Sequence, residues 1–209
     1  MSTRSQIRAK ARETLGGSIF QTPWLITLLV LLVVDLVISA ASSTFILYFI
    51  LNGPVLIGVS GYLLKLIRKE SEAKNIDPLL DGFKNDLVNN IILGILQIVF
   101  IFLWSLLFVI PGIVKSYSYA MANYIKSENP SMTGNDAITE SRKMMNGHKL
   151  DLFLLDLSFI GWILLSILTL GIGILWVNPY MQASHAHFYE ELKAQQAPII
   201  QDENAEVNE

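Results

Sequence analysis

Apolar residues in this chain come in long blocks, without the strict alternation of a half-buried strand. One block begins at Trp24 and runs to about residue 50, too long for a single crossing of the bilayer. A second covers residues 87–110, and a third, residues 152–177, contains Gly161, Gly171 and Gly173. A helix needs about 20 such residues to span roughly 30 Å of hydrocarbon. Less apolar stretches cover residues 45–67, 111–125 and 172–192. The expected fold class is therefore all-α: a polytopic helical membrane protein. Hydropathy alone accommodates four, five or six crossings.

The basic residues select among these. Arg4, Arg8, Lys10 and Arg12 form one group; Lys65, Arg68, Lys69, Lys74 and Lys84 a second; Lys126, Arg142, Lys143 and Lys149 a third; Lys193 stands last. The connections near 40–44, 110–112 and 169–173 carry no charge. Positive segments stay on the cytoplasmic side, and keeping all four there requires an even number of crossings between each pair. About six transmembrane helices in three hairpins satisfy this, with both termini cytoplasmic; four would not. Each hairpin pairs a strongly apolar helix with a more polar, Tyr-bearing one that opens near Pro54, Pro111 or Pro179. Interrupted spans at matching positions can mark a binding site, but Pro and Gly also suit hairpin tips.

Composition agrees with a bilayer environment. Of 209 residues, 52% are hydrophobic and 16% charged, with mean hydropathy +0.47; a soluble domain carries about 25% charged residues. A disordered chain, a nucleic-acid binder and a soluble enzyme are excluded on this ground. The net charge of −3 reflects a local excess at Asp202, Glu203, Glu206 and Glu209. The chain has no Cys, hence no disulfide, thiolate metal site or Cys nucleophile.

Outside the spans, residues 1–17 form a basic amphipathic interfacial segment, with Ile7, Ala11 and Leu15 at four-residue spacing and Gly16-Gly17 closing the helix. Residues 18–193 are one six-helix membrane domain, whose first helix is retained, not cleaved as a signal peptide. Within it, residues 135–146 form a short inner-surface helix with Ala137, Ile138, Ser141, Met144 and Met145 on one side. Residues 194–209 read as a disordered acidic tail.

The run Ile110-Pro111-Gly112-Ile113, then Tyr117-Ser118-Tyr119-Ala120-Met121, Asn129-Pro130, Ser141 to Lys149, Leu157 to Trp162 and Asn178-Pro179-Tyr180 resembles a bacterial integral membrane family known as domain of unknown function 975. The resemblance covers roughly residues 4–192 and is most specific over 110–162. A shorter Pro-Gly, Ala-x-x-x-Ser, Gly pattern is similar to membrane domains attached to some glycerophosphodiester phosphodiesterases. The resemblance implies a protein of the bacterial cytoplasmic membrane. It implies no activity and no catalytic residues.

No phosphate-binding loop or nucleophile elbow occurs, so no catalytic residue and no cofactor are expected. Asp35 stands 11 residues beyond Trp24, roughly 16 Å along a helix. A charge at such depth costs about 2.5–3.5 kcal/mol and needs a partner or water. Lys115, expected near the outer end of the fourth helix, is the one basic residue inside a span. Asp35, Lys115 and Asp156 form the candidate intramembrane polar site, with an Asp35–Lys115 pair expected and Asp151 and Asp156 within reach of Lys149 or Arg142. His185 and His187 occupy different helix faces, and no third ligand is placed to make a metal site. Glu140, Ser141 and Arg142 are the candidate inner-surface contact, either with a partner or with lipid phosphates. The expected function is a non-enzymatic membrane module, a scaffold or regulatory, transport or envelope-assembly partner; the alternative is a small-solute or ion transporter using Asp35. The expected partners are the lipid bilayer and a second membrane protein or further copies of the chain.

Overall fold

The computed structural model describes residues 2–17, 21–42, 45–70, 77–107, 109–169 and 171–206. The uncharged connections expected near 40–44 and 169–173 fall partly outside these residues, as do Lys74 and Glu209. All regular structure among the described residues is helical.

The first long apolar block becomes α2 (Thr22–Ser42) and the second α5 (Leu87–Leu107), while the less apolar stretch 45–67 becomes α3 (Phe45–Ile67). α3 is the centre of the assembly, packed by α2, by the short α4 (Asp77–Lys84) and by α5. Two close approaches fix that centre. A Cβ on Gly53 would lie 2.0 Å from the Asn90 carbonyl oxygen of α5, and one on Gly82 of α4 would lie 2.0 Å from that of Pro54. Only glycine admits backbones this near each other, as in other membrane helix contacts. The Asn90 amide then donates to the carbonyls of Gly82 (2.6 Å) and Asn85 (2.7 Å), tying α4 to α5.

Two other expected spans are broken. The fourth divides into α6 (Val109–Tyr119) and α7 (Ala122–Glu128); the fifth divides into α9 (Lys149–Leu157) and α10 (Ile160–Leu168). Each break is held by a side chain from elsewhere. At the first, the Ser141 hydroxyl donates to the Ser118 carbonyl (2.8 Å) and accepts the Met121 N–H (3.2 Å). At the second, the Arg8 guanidinium donates to the Ser158 carbonyl (3.2 Å). Backbone groups released by a helix break in an apolar setting must find such partners.

The amphipathic segments pack onto this frame. α1 (Arg4–Thr14) starts at a capping box, in which Thr3 and Gln6 exchange side-chain and backbone hydrogen bonds. Its Ile7 and Ala11, with Leu15 just past its end, are buried. It lies along α11 (Ile174–Glu206), joined by Lys10–Glu191 (2.9 Å) and Thr14–His187 (2.8 Å). α8 (Gly134–Met144), capped by Thr133, packs against α5 and α7, with Ala137, Ile138, Ser141, Met144 and Met145 all buried. α11 continues to Glu206, so helix replaces the disordered tail expected from residue 194 as far as Glu206. Ala, Gln and Glu in that stretch favour helix once its start is anchored.

Among the described residues, three helical stretches are long and apolar enough to cross a membrane: Leu47–Ile67, Leu87–Leu106 and Lys149–Leu168, the last counted across the break after α9. Thr22–Leu36 is a shorter apolar helix.

Candidate functional site

Polar side chains gather where helices from distant parts of the chain meet. On α9, Asp156 accepts a hydrogen bond from the Tyr117 hydroxyl of α6 (3.0 Å) through Oδ2, and its Oδ1 lies 2.5 Å from His185 Nε2 of α11. The three side chains form a continuous chain able to hold and hand on a proton. Asp156 therefore meets neither Lys149 nor Arg142, the partners expected for it, and Asp151 pairs with His148 (3.2 Å). Asp156 stands about two turns beyond Lys149 on α9, where α6 and α11 pack against that helix.

The expected Asp35–Lys115 pair is not formed. Among the described residues Asp35 has no ion pair or side-chain hydrogen bond, and it is exposed on α2 beside Leu32, Val33 and Leu36. Lys115 lies on α6, which packs against α5, α8 and α9, whereas α2 packs against α3 and α11. Its ammonium stands 4.4 Å from the Trp104 ring centroid, a cation–π contact, and it feels the like charges of Arg142 and Lys149. Lys115 thus belongs with the basic segment of residues 142–149, not with an outer helix end apart from it.

The three residues of the candidate surface contact separate. Ser141 is fully buried, both of its hydrogen bonds spent on the α6–α7 break, so it cannot meet a partner. Glu140 pairs with Lys143 at 2.7 Å, and exposed Arg142 lines a cavity with Lys115.

Two centres escape a reading of the sequence. Lys126, counted there as a topological charge, is 1% exposed; its ammonium meets Asp86 at 3.0 Å and donates to the carbonyls of Pro130 (2.7 Å) and Met132. The hydrogen bonds from Lys126 and Asn89 hold the Asp86 carboxyl below the usual carboxylate range. Glu128 at the end of α7 accepts from Arg68, from the Tyr189 hydroxyl and from Lys193 (2.8 Å), joining α3, α7 and α11. Burial pushes its carboxyl up, but these three donors outweigh burial and leave it lowered. The spacing of Lys126 and Glu128 gives no sign of either role, because their partners lie up to 65 residues away.

Among the described residues, no group of three or more His, Asp or Glu side chains could hold a metal ion. His185 turns to Asp156 and His187 to Thr14.

Fold and polar centres together define an all-helical protein with membrane-length apolar helices, tied by buried polar contacts. Residues 106–196 match the sequence model of the family described as "Protein of unknown function (DUF975)". The match includes the helix breaks, Lys126, Glu128 and the Tyr117–Asp156–His185 chain; residues before 106, where the resemblance was expected to extend, lie outside it. No match ties the chain to membrane domains of phosphodiesterases. No curated protein and no solved structure matches the chain.

Proposed function

We propose that this protein is a non-enzymatic module of the bacterial cytoplasmic membrane that acts by pairing with another helix in the plane of the bilayer. Six helical segments enter the bilayer as three hairpins, from the side that bears the basic segments and both termini. The observation that carries the reading is Asp35, a carboxylate exposed on an apolar helix with no partner among the described residues. Left against lipid it costs about 2.5–3.5 kcal/mol, which a polar group on a neighbouring protein would recover. That neighbour is a second copy of the chain or another membrane protein.

Because the chain has no Cys, Leu32→Cys gives a single, clean cross-linking position one turn from Asp35. Cross-linked or co-purified partner should be captured from native membrane and lost in Leu32→Cys/Asp35→Leu. Equal capture with and without Asp35 would overturn the reading. The proton-holding chain Tyr117–Asp156–His185 favours a second reading, a small transporter. Proton or solute flux in liposomes by lone protein, abolished by Asp156→Asn, would establish that alternative.

A further inference from the structure

We infer that the cavity between α6, α8 and the start of α9 binds the phosphate of an anionic phospholipid. The cavity holds about 440 Å³ and is lined by Lys115, Arg142, Lys143 and Lys149, with the Asn146 amide among them. Among the described residues only one of these cations has an acidic partner, Lys143 with Glu140. Three uncompensated positive charges therefore face one space in a chain whose net charge is −3. Like charges so grouped repel one another until an anion enters.

The margin of the cavity says which anion. Next to Lys115 on α6, Ile113 and Val114 are 47% and 43% exposed; next to Lys149 on α9, Leu150 is 63% exposed. Cations and an apolar face adjoin on the same two helices, which suits a ligand with a phosphate at one end and acyl chains at the other. A free phosphate has no use for the apolar face. Lys115 is the one charged residue of α6, and the cation–π contact with Trp104 leaves its charge without an acidic partner for an anion to meet. Basic pockets between membrane helices are a recurrent way of holding anionic headgroups.

The test is native mass spectrometry of full-length protein from neutral detergent, offered phosphatidylglycerol, phosphatidylcholine or inorganic phosphate. Retention of phosphatidylglycerol over phosphatidylcholine is expected, unaffected by inorganic phosphate. Each charge removed should weaken retention about fivefold, so Lys115→Gln/Arg142→Gln should lose most of it. The control Arg4→Gln/Lys84→Gln, with the same net charge elsewhere, should retain it. Should the double variant fail to fold, Arg142→Gln alone carries the test, since Arg142 is exposed and holds no structural bond. Equal loss in site and control variants would overturn the proposal, as would equal retention of both lipids. Displacement of the lipid by inorganic phosphate would reassign the cavity to a free anion.

Discussion

α3 and the two other membrane-length stretches have nearly the same length and unlike surroundings. In Leu47–Ile67, 56% of the most apolar stretch is buried inside the protein; in Leu87–Leu106 and Lys149–Leu168 the share is 22%. Yet α3 is the least apolar of the three. Apolarity thus does not select which helix the protein encloses, because lipid satisfies an apolar side chain as well as protein does. What α3 has instead is Gly53, which lets α5 come close, Gly58, which does the same for α4, and Tyr62, buried to 1% against α2. The C-terminal part of α5 and α10 present large side chains, with Leu106 at 73% and Leu168 at 83% exposed. One region is closed by protein and held by polar ties; the other is left for lipid or a partner to close.

The largest expected effect strikes the enclosed region at Lys126. Lys126→Met leaves the Pro130 and Met132 carbonyls buried without a donor, a loss of about 2–4 kcal/mol. Thermal unfolding in detergent should fall by roughly 10 °C; a variant that unfolds with wild type would show that packing alone holds this region. A second expectation concerns Glu128. Its folded carboxyl is lowered below its unfolded value, so the stability it lends is present above that value, about 4.3, and fades as pH falls through the folded value. Tm should drop on acidification from about pH 7 to about pH 3, and Glu128→Gln should flatten that part of the curve. An unchanged acid slope in Glu128→Gln would assign acid sensitivity to other groups, such as Asp86. The smallest effect belongs to the lipid-facing region. Leu106→Ala should change Tm by no more than about 1–2 °C, since an exposed side chain contributes within about 0.5 kcal/mol. A large loss there would place that face against protein and erase the contrast.

The helical class, the stretches that become α2, α3 and α5, and the amphipathic α1 and α8 with their buried sides could be read before any packing was known. Those features are local: a period of 3.6 and a glycine just beyond the end are written within a dozen residues. The resemblance to the family was also legible, in the motif-bearing stretch within residues 106–196 that match its model. Where the helices break, what Asp156 and Lys115 meet, and the burial of Lys126 and Ser141 follow from how the helices pack. Each of those outcomes rests on a partner far along the chain: Ser141 lies 23 residues from Ser118, Arg8 150 residues from Ser158, and Asp156 29 residues from His185. A buried polar group must be satisfied by whatever the packing brings near it, and packing is a property of the assembled helices, not of any one of them.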